Sequence, residues 1–232
     1  MLKHVQHDNS FYEVIMLKKS SVVLLFCISL ALFMSCNRKE KVIVHYEDQE
    51  IPGLKYKLQI PEYTEYPELS KIVQEGLEND FTQYKDFATS EWENDNSYTF
   101  TYRTIAEDFS NKDYINVFIK KYIYCGPSME DEYFITYSWD KKQKRLVSIE
   151  ELTGMTSVKL MDYCQHYIKT HLKYTDKNSR NYVDSHMNLV MNEDIKKYSH
   201  FVATKKLITI YFAPGDSAPK GYGPQVVEIK RK

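Results

Sequence analysis

The strongest constraint on the fold comes from residues 114–151, where two runs rich in β-branched and aromatic residues flank a turn signal. The first run ends at Tyr124, the second begins near Tyr133, and Gly126-Pro127 lies between them. Runs of this composition around a Gly-Pro pair predict a β-hairpin. Because no other segment has as much strand character, we expect this hairpin to be the centre of a sheet.

The rest of the chain predicts further strands and two good helices. Strand patterns occur at residues 42–46, 54–60, 98–102, 146–149, 207–212 and 226–229. Apolar residues recur at helical spacing from Pro67 to Ala88 and again from Leu160 to Leu172, and a weaker helix is expected at 185–191. Strands come in groups rather than in regular β-α-β alternation. We therefore predict an α+β fold, an antiparallel sheet with two main amphipathic helices packed on it.

The N-terminal residues predict export and a lipid anchor. An apolar run from Val22 to Met34 follows Lys18 and Lys19 and precedes Cys36. A charged start and a short apolar core are typical of a secretory signal, and the run is too short for a spanning helix. The position of Cys36 resembles that of the lipidated cysteine of bacterial lipoproteins. An ordinary signal peptide or an uncleaved anchor is the alternative, and we expect translation to begin at Met16.

These features predict the domain organisation and the compartment. Residues 1–35 are expected to hold upstream residues and the signal, and residues 36–50 a tether and the first strand. Residues 51–110 would form the N-terminal part of the ectodomain, continuous with a C-terminal part at 111–232. The mature protein would be a membrane lipoprotein that faces the periplasm or the cell exterior.

Two cysteines remain after the signal and the anchor. Cys125 and Cys164 would lie in an exported compartment, where disulfides form. Cys164 also falls on an apolar helix stripe, where small buried thiols are common. Pairing cannot be deduced from sequence, so a disulfide and two separate thiols are both open.

Charge and motif searches exclude several functions. The 31 basic and 32 acidic residues create no field for nucleic acid. His166 and His171 are five residues apart, which places them on different helix faces and not in a metal pair. The phosphate-binding, dinucleotide and hydrolase motifs are missing. We therefore predict no catalytic residue, no metal and no cofactor.

Three motifs carry a resemblance to a known family. They are Tyr-x-Tyr-x-Gly at residues 122–126, Tyr-Phe-x-Thr-Tyr-x-Trp-Asp at 133–140 and Lys-Arg-Leu-Val-Ser-Ile-Glu-Glu-Leu at 144–152. Together with Ala-Pro and Gly-Tyr-Gly-Pro at 218–224, they resemble the RsiV-type ectodomain family of unknown function. Residues 54–102 resemble the companion domain that usually precedes it. The family is named for a lysozyme-sensing anti-sigma factor, and it also accompanies some peptidoglycan deacetylases.

The resemblance implies a binding module whose ligand is an envelope component or a protein such as lysozyme. Gly126-Pro127-Ser128-Met129 replaces the family's usual His-bearing turn, and the chain lacks a spanning helix, so anti-sigma activity is not implied. A cell-wall (peptidoglycan) modifying enzyme or its accessory subunit, and a purely structural lipoprotein, are the alternatives.

The expected contact sites are two loops, at residues 126–132 and 214–224, because exposed loops on a rigid sheet often carry recognition. The candidate binding residues are Tyr122, Tyr124, Gly126, Glu130, Asp131 and Tyr222. The strand tyrosines could instead belong to a core whose edge is accessible to solvent.

Overall fold

A computed structural model describes residues 42–126, 130–191 and 198–231 of the chain. The predicted signal sequence, the predicted start at Met16 and the predicted lipidation of Cys36 all concern residues outside these ranges. Within these three ranges, no helix is long and apolar enough to cross a membrane.

Six strands form the larger sheet, in the same order as along the chain. They are β1 (Val42–Ile51), β2 (Leu54–Tyr63), β3 (Phe100–Asp108), β4 (Tyr114–Tyr124), β5 (Asp131–Asp140) and β6 (Arg145–Leu146). The predicted central hairpin is confirmed, since β4 pairs antiparallel with β5. The β2–β3 pair is parallel, unlike its neighbours, because a long helix connects the two strands.

That helix, α1, runs from Pro67 to Asn94 and covers one face of the sheet. Pro67 fits the first turn because its missing N–H has no helical partner there. Leu69, Val73 and Leu77 are buried against β2, β4 and β5. The helix continues to Asn94, beyond Ala88, where the predicted apolar spacing ends.

The C-terminal half of the chain is built around its own sheet. It comprises α2 (Ile149–Thr153), α3 (Ser157–His171), α4 (Lys177–Val190), β7 (Phe201–Ala203), β8 (Leu207–Phe212) and β9 (Gln225–Lys230). The three strands are antiparallel, and the α3 stripe packs on them with Val183 and Met187 of α4. The α+β class is thus confirmed, with two sheets instead of one. Helix α4 begins earlier than predicted because Asp176 caps it in a capping box with Ser179.

Strand β4 is buried on both faces over its first six residues. Ile115, Val117 and Ile119 pack under α1, whereas Phe118 packs towards Val202 and Ala213 of the C-terminal segment. A buried network joins the two sheets at Asn116. Its side-chain amide donates to the carbonyl of Ala203 (2.9 Å) and accepts from the Ala203 N–H (2.8 Å).

The disulfide left open by the sequence is not formed, because Cys125 and Cys164 are both free thiols. Cys164 lies in the C-terminal core, and Cys125 packs against a separate cluster, where its sulfur is 3.7 Å from the Tyr84 hydroxyl. Burial raises the pKa of the Cys164 thiol to about 12.

Candidate functional site

The candidate site lies on the part of the large sheet that the C-terminal segment leaves open. Beyond Ile119, the residues of β4 change from buried to half-buried. Strand alternation places Tyr122 and Tyr124 on the face opposite α1. The register sets Arg103 of β3 and Glu132 of β5 directly beside Tyr122.

Four residues form what we call the open-face cluster: Arg103, Tyr122, Glu130 and Glu132. The Arg103 guanidinium lies 4.3 Å from the centroid of the Tyr122 ring, within the range of a cation–π contact. Its Nη2 is 3.5 Å from a Glu130 carboxylate oxygen. The Tyr122 hydroxyl donates to Glu132 at 3.1 Å. The arginine and the tyrosine ring are thus each held by a carboxylate.

The cluster remains accessible to solvent. The side chains of Arg103 and Glu130 keep 41% and 44% of their exposure. Burial, followed by the Glu132 carboxylate, raises the pKa of Tyr122, so its hydroxyl stays protonated and can donate at neutral pH. Exposed ion pairs contribute only about 0–1 kcal/mol to stability. The cluster is therefore not needed to hold the fold together.

Cross-strand ion pairs surround the cluster on the same face. Lys57 pairs with Asp48 at 3.2 Å, and Lys120 pairs with Glu107 at 2.7 Å. A shallow cavity of about 240 Å³ lies between the Lys57–Asp48 pair and Arg103. Small-molecule pockets usually measure about 300–1,000 Å³. This cavity therefore fits a protruding side chain better than a whole organic ligand.

On the α1 face, a second polar group has a structural role. The Tyr102 hydroxyl donates to Asp80 at 2.6 Å, and Lys121 donates to the same carboxylate at 2.8 Å. Burial, followed by Asp80, raises the pKa of Tyr102. These bonds fix α1 to the sheet. Among the described residues, no group of three or more His, Cys, Asp or Glu side chains could hold a metal ion.

The structure separates the binding residues predicted from the sequence. Tyr122, Tyr124 and Glu130 lie on or beside the open face. Asp131 forms an ion pair with Lys220, which joins the two loops predicted as contact sites. The other two predicted residues are placed differently: Gly126 is buried, and Tyr222 packs against the C-terminal core.

Sequence reasoning missed Arg103. Glu132 ends the predicted contact loop at residues 126–132 but was not among the candidate binding residues. Alternation along each strand could have placed them on an exposed face. Their contact with Tyr122 depends on the registers of β3 with β4 and of β4 with β5, which alternation alone does not reveal.

Comparisons with known proteins identify a family for part of the chain. Residues 154–232 match a family described as "Protein of unknown function (DUF3298)". No curated protein matches the chain. The finer resemblance to the RsiV type and to its companion domain stays a prediction.

Two solved structures share the fold well beyond that segment. A DUF3298 family protein from Pseudomonas aeruginosa PAO1 is 10% identical with a TM-score of 0.59, over 84% of this chain and 92% of that one. A DUF3298 member from Bacteroides fragilis NCTC 9343 is 15% identical with a TM-score of 0.51, over 83% of this chain and 90% of that one. At these identities the likeness concerns the fold alone.

Proposed function

We propose that this chain is a lipid-anchored, non-catalytic binding module of the bacterial cell envelope, and that its open-face cluster holds a protein ligand. The anchor is the predicted lipid on Cys36. The observation that carries the proposal is the stacking of Arg103 on Tyr122 on an accessible sheet face, with Glu130 paired to the arginine and Glu132 bound to the tyrosine hydroxyl.

Arginine and tyrosine are enriched among the residues that dominate protein–protein binding energies. Both side chains here are fixed before a ligand arrives, because they belong to adjacent strands and have partners within the sheet. A pre-ordered surface loses less entropy on binding than a flexible loop. The face therefore meets the main requirements of a recognition surface.

The chemistry of the face favours a protein over a small molecule. Its cations and carboxylates are interspersed over β1, β2, β3 and β4, and its cavity has room for one side chain. Lysozyme, which the family resemblance implies, is the first ligand to test. An envelope protein of the same bacterium is the other protein candidate.

The test uses the chain from Asn37 onward, because all four apolar core clusters lie within residues 42–231. Binding is measured against purified lysozyme and against envelope extract, and the dissociation constant of a captured protein is then determined for the variants. Arg103→Ala and Tyr122→Ser should each weaken binding at least about tenfold, as expected for central anchor residues.

Two matched controls are available elsewhere on the surface. Arg145→Ala removes another exposed arginine that is paired with a glutamate, and Tyr182→Ser removes an exposed tyrosine of α4. Both should bind normally. Equal losses in the controls, retention of peptidoglycan alone, or capture of no protein would contradict the proposal. A Tyr122→Ser variant that unfolds would show that this ring is a core residue.

A further inference from the structure

The end of the large sheet at which β1 begins carries an excess of positively charged side chains. Val42 lies opposite Tyr63, and Tyr114 lies opposite Asp140. The strand directions therefore place the start of β1, the β3–β4 turn and the β5–β6 turn at one end. The β7–β8 turn reaches the same end, where Asn111 of the β3–β4 turn donates to the carbonyl of Ala203.

Three turns and the segment after β9 bring five cations together at that end. They are Lys112, Lys141, Lys142, Lys205 and Arg231, and we call this group the basic end. They line a concave site of about 550 Å³, the largest of the cavities described here. Positive charge collected in a concavity concentrates anions there.

Several of these groups are held in place by the fold. Arg231 donates to the Tyr114 hydroxyl at 2.7 Å and to the Thr204 carbonyl at 2.9 Å. Lys141 donates to the carbonyl of Asn111 at 2.7 Å. The site is thus partly ordered without a ligand.

The acidic groups at the site do not cancel this charge. Asp113 and Asp140 are the two carboxylates that line the cavity, against five cations. Asp140 accepts the backbone N–H groups of Lys142 and Gln143, which fixes the β5–β6 turn. Within the three described ranges, Lys112, Lys142, Lys205 and Arg231 form no ion pair. The lysines of the open face, in contrast, are paired across strands.

The predicted anchor would bring a membrane close to this end. Five residues lie between Cys36 and Val42, so the two are six Cα steps apart and at most about 20 Å from each other. Val42 in β1 is three strand spacings from β4, about 14 Å. Arg38, Lys39 and Lys41 add further positive charge in the connecting segment, against Glu40.

From this placement we infer that the basic end docks on the headgroups of anionic phospholipids, with a headgroup phosphate in the concave site. The inference rests on the lipid-anchored part of the proposed function. Glu65 and Glu68 lie where β2 leads into α1, at the same end of the large sheet. Because an anionic membrane repels these carboxylates, the side of this end that carries the basic turns is the side that meets the lipid. Tyr122 lies eight residues along β4 from Tyr114, about 26 Å further from the membrane.

The experiment measures cosedimentation of the chain from Asn37 with vesicles, so that no lipid anchor contributes. Binding is expected with vesicles that contain phosphatidylglycerol, should fall as salt rises, and should be absent with pure phosphatidylcholine. The triple variant Lys112→Gln/Lys142→Gln/Lys205→Gln should bind at least about tenfold more weakly, since each basic residue near an anionic surface adds about 1 kcal/mol. The tether is unchanged in this variant.

The matched control is Lys55→Gln/Lys57→Gln/Lys120→Gln, which removes the same charge from the open face and should bind vesicles normally. Equal weakening of both variants, or no binding to anionic vesicles at low salt, would overturn the inference. So would calorimetric binding of inorganic phosphate without vesicle binding, because it would identify a soluble anion as the ligand. Thermal unfolding of each variant checks its fold. Ligand capture by the open face is assayed without membranes, so the two proposals fail separately.

Discussion

Replacing Asn116 with Ala should weaken the packing of the two sheets on each other, because this one buried side chain forms four hydrogen bonds. Its amide nitrogen donates to the carbonyls of Ala203 (2.9 Å) and Phe109 (3.2 Å). Its oxygen accepts from the Ala203 N–H and from the Ser138 hydroxyl, both at 2.8 Å. Asn116 is fully buried.

The expected loss of stability follows from the groups left behind. Truncation strands the Ala203 N–H, whereas the Ala203 carbonyl keeps the Asn111 side-chain amide as a donor at 2.8 Å. It also removes one partner of Ser138, which can still donate to the Phe201 carbonyl. A buried polar group without a partner costs about 1–3 kcal/mol. Loss of the other hydrogen bonds of Asn116 adds about 1 kcal/mol. We therefore expect Asn116→Ala to lower the free energy of unfolding by about 2–4 kcal/mol.

Urea unfolding of the chain from Asn37, followed by circular dichroism, measures this difference. Asn188→Ala is the control, because Asn188 is exposed on α4 and its replacement should change stability by less than about 0.5 kcal/mol. Hydrogen exchange at the Ala203 amide should accelerate in Asn116→Ala even under conditions where the variant is folded. A loss below about 1 kcal/mol would refute the reasoning, since it would mean that the network is not essential to the joint between the sheets.

Three further predictions concern single side chains. With thiol reagents near pH 8, the native chain from Asn37 should react at Cys125 and not at Cys164, whose buried thiol has a pKa of about 12; labelling of both at equal rates would contradict this. Burial, followed by Lys121, lowers the pKa of His200 to about 4. The histidine of the unfolded chain therefore binds a proton more tightly than the histidine of the folded chain. Stability should therefore be complete above about pH 6.5 and fall by roughly 3 kcal/mol towards pH 4. His200→Asn should flatten that profile in urea titrations at each pH. Gly53→Ala should cost about 2 kcal/mol or more in thermal unfolding, because Gly53 has φ +77° and a Cβ there would collide with the Trp92 ring. Gly154→Ala, with a similar φ and open space, should cost less.

Local patterns were enough to predict most of the secondary structure. Strand alternation and the Gly126-Pro127 signal located the β4–β5 hairpin, and the apolar spacing after Pro67 located α1. Two short elements, β7 and α2, were not predicted, and the strand predicted at 146–149 is limited to Arg145–Leu146. The other misses were at the boundaries. The start of α4 depends on a single N-cap at Asp176. The residues that follow this cap are polar and resemble a loop, so the sequence pattern placed the helix start too late.

The candidate site was only partly predictable. Tyr122 and Glu130 were selected from a strand pattern and an acidic loop, and both lie in the open-face cluster. Arg103 was not selected, because its value comes from a partner 19 positions later in the chain, across a sheet register. The basic end likewise joins residues from Lys112 to Arg231, which no local window contains.

The sequence by itself determined the α+β class and the amphipathic faces, because these depend on periodicity and composition over short windows. The lipid anchor stays a prediction. Only the tertiary structure decided that the C-terminal strands form their own sheet and that Cys125 and Cys164 stay apart. It also decided which charges pair across strands and which collect at one end of the large sheet. These properties depend on strand register and on packing between distant segments, which are set by the free energy of the whole fold.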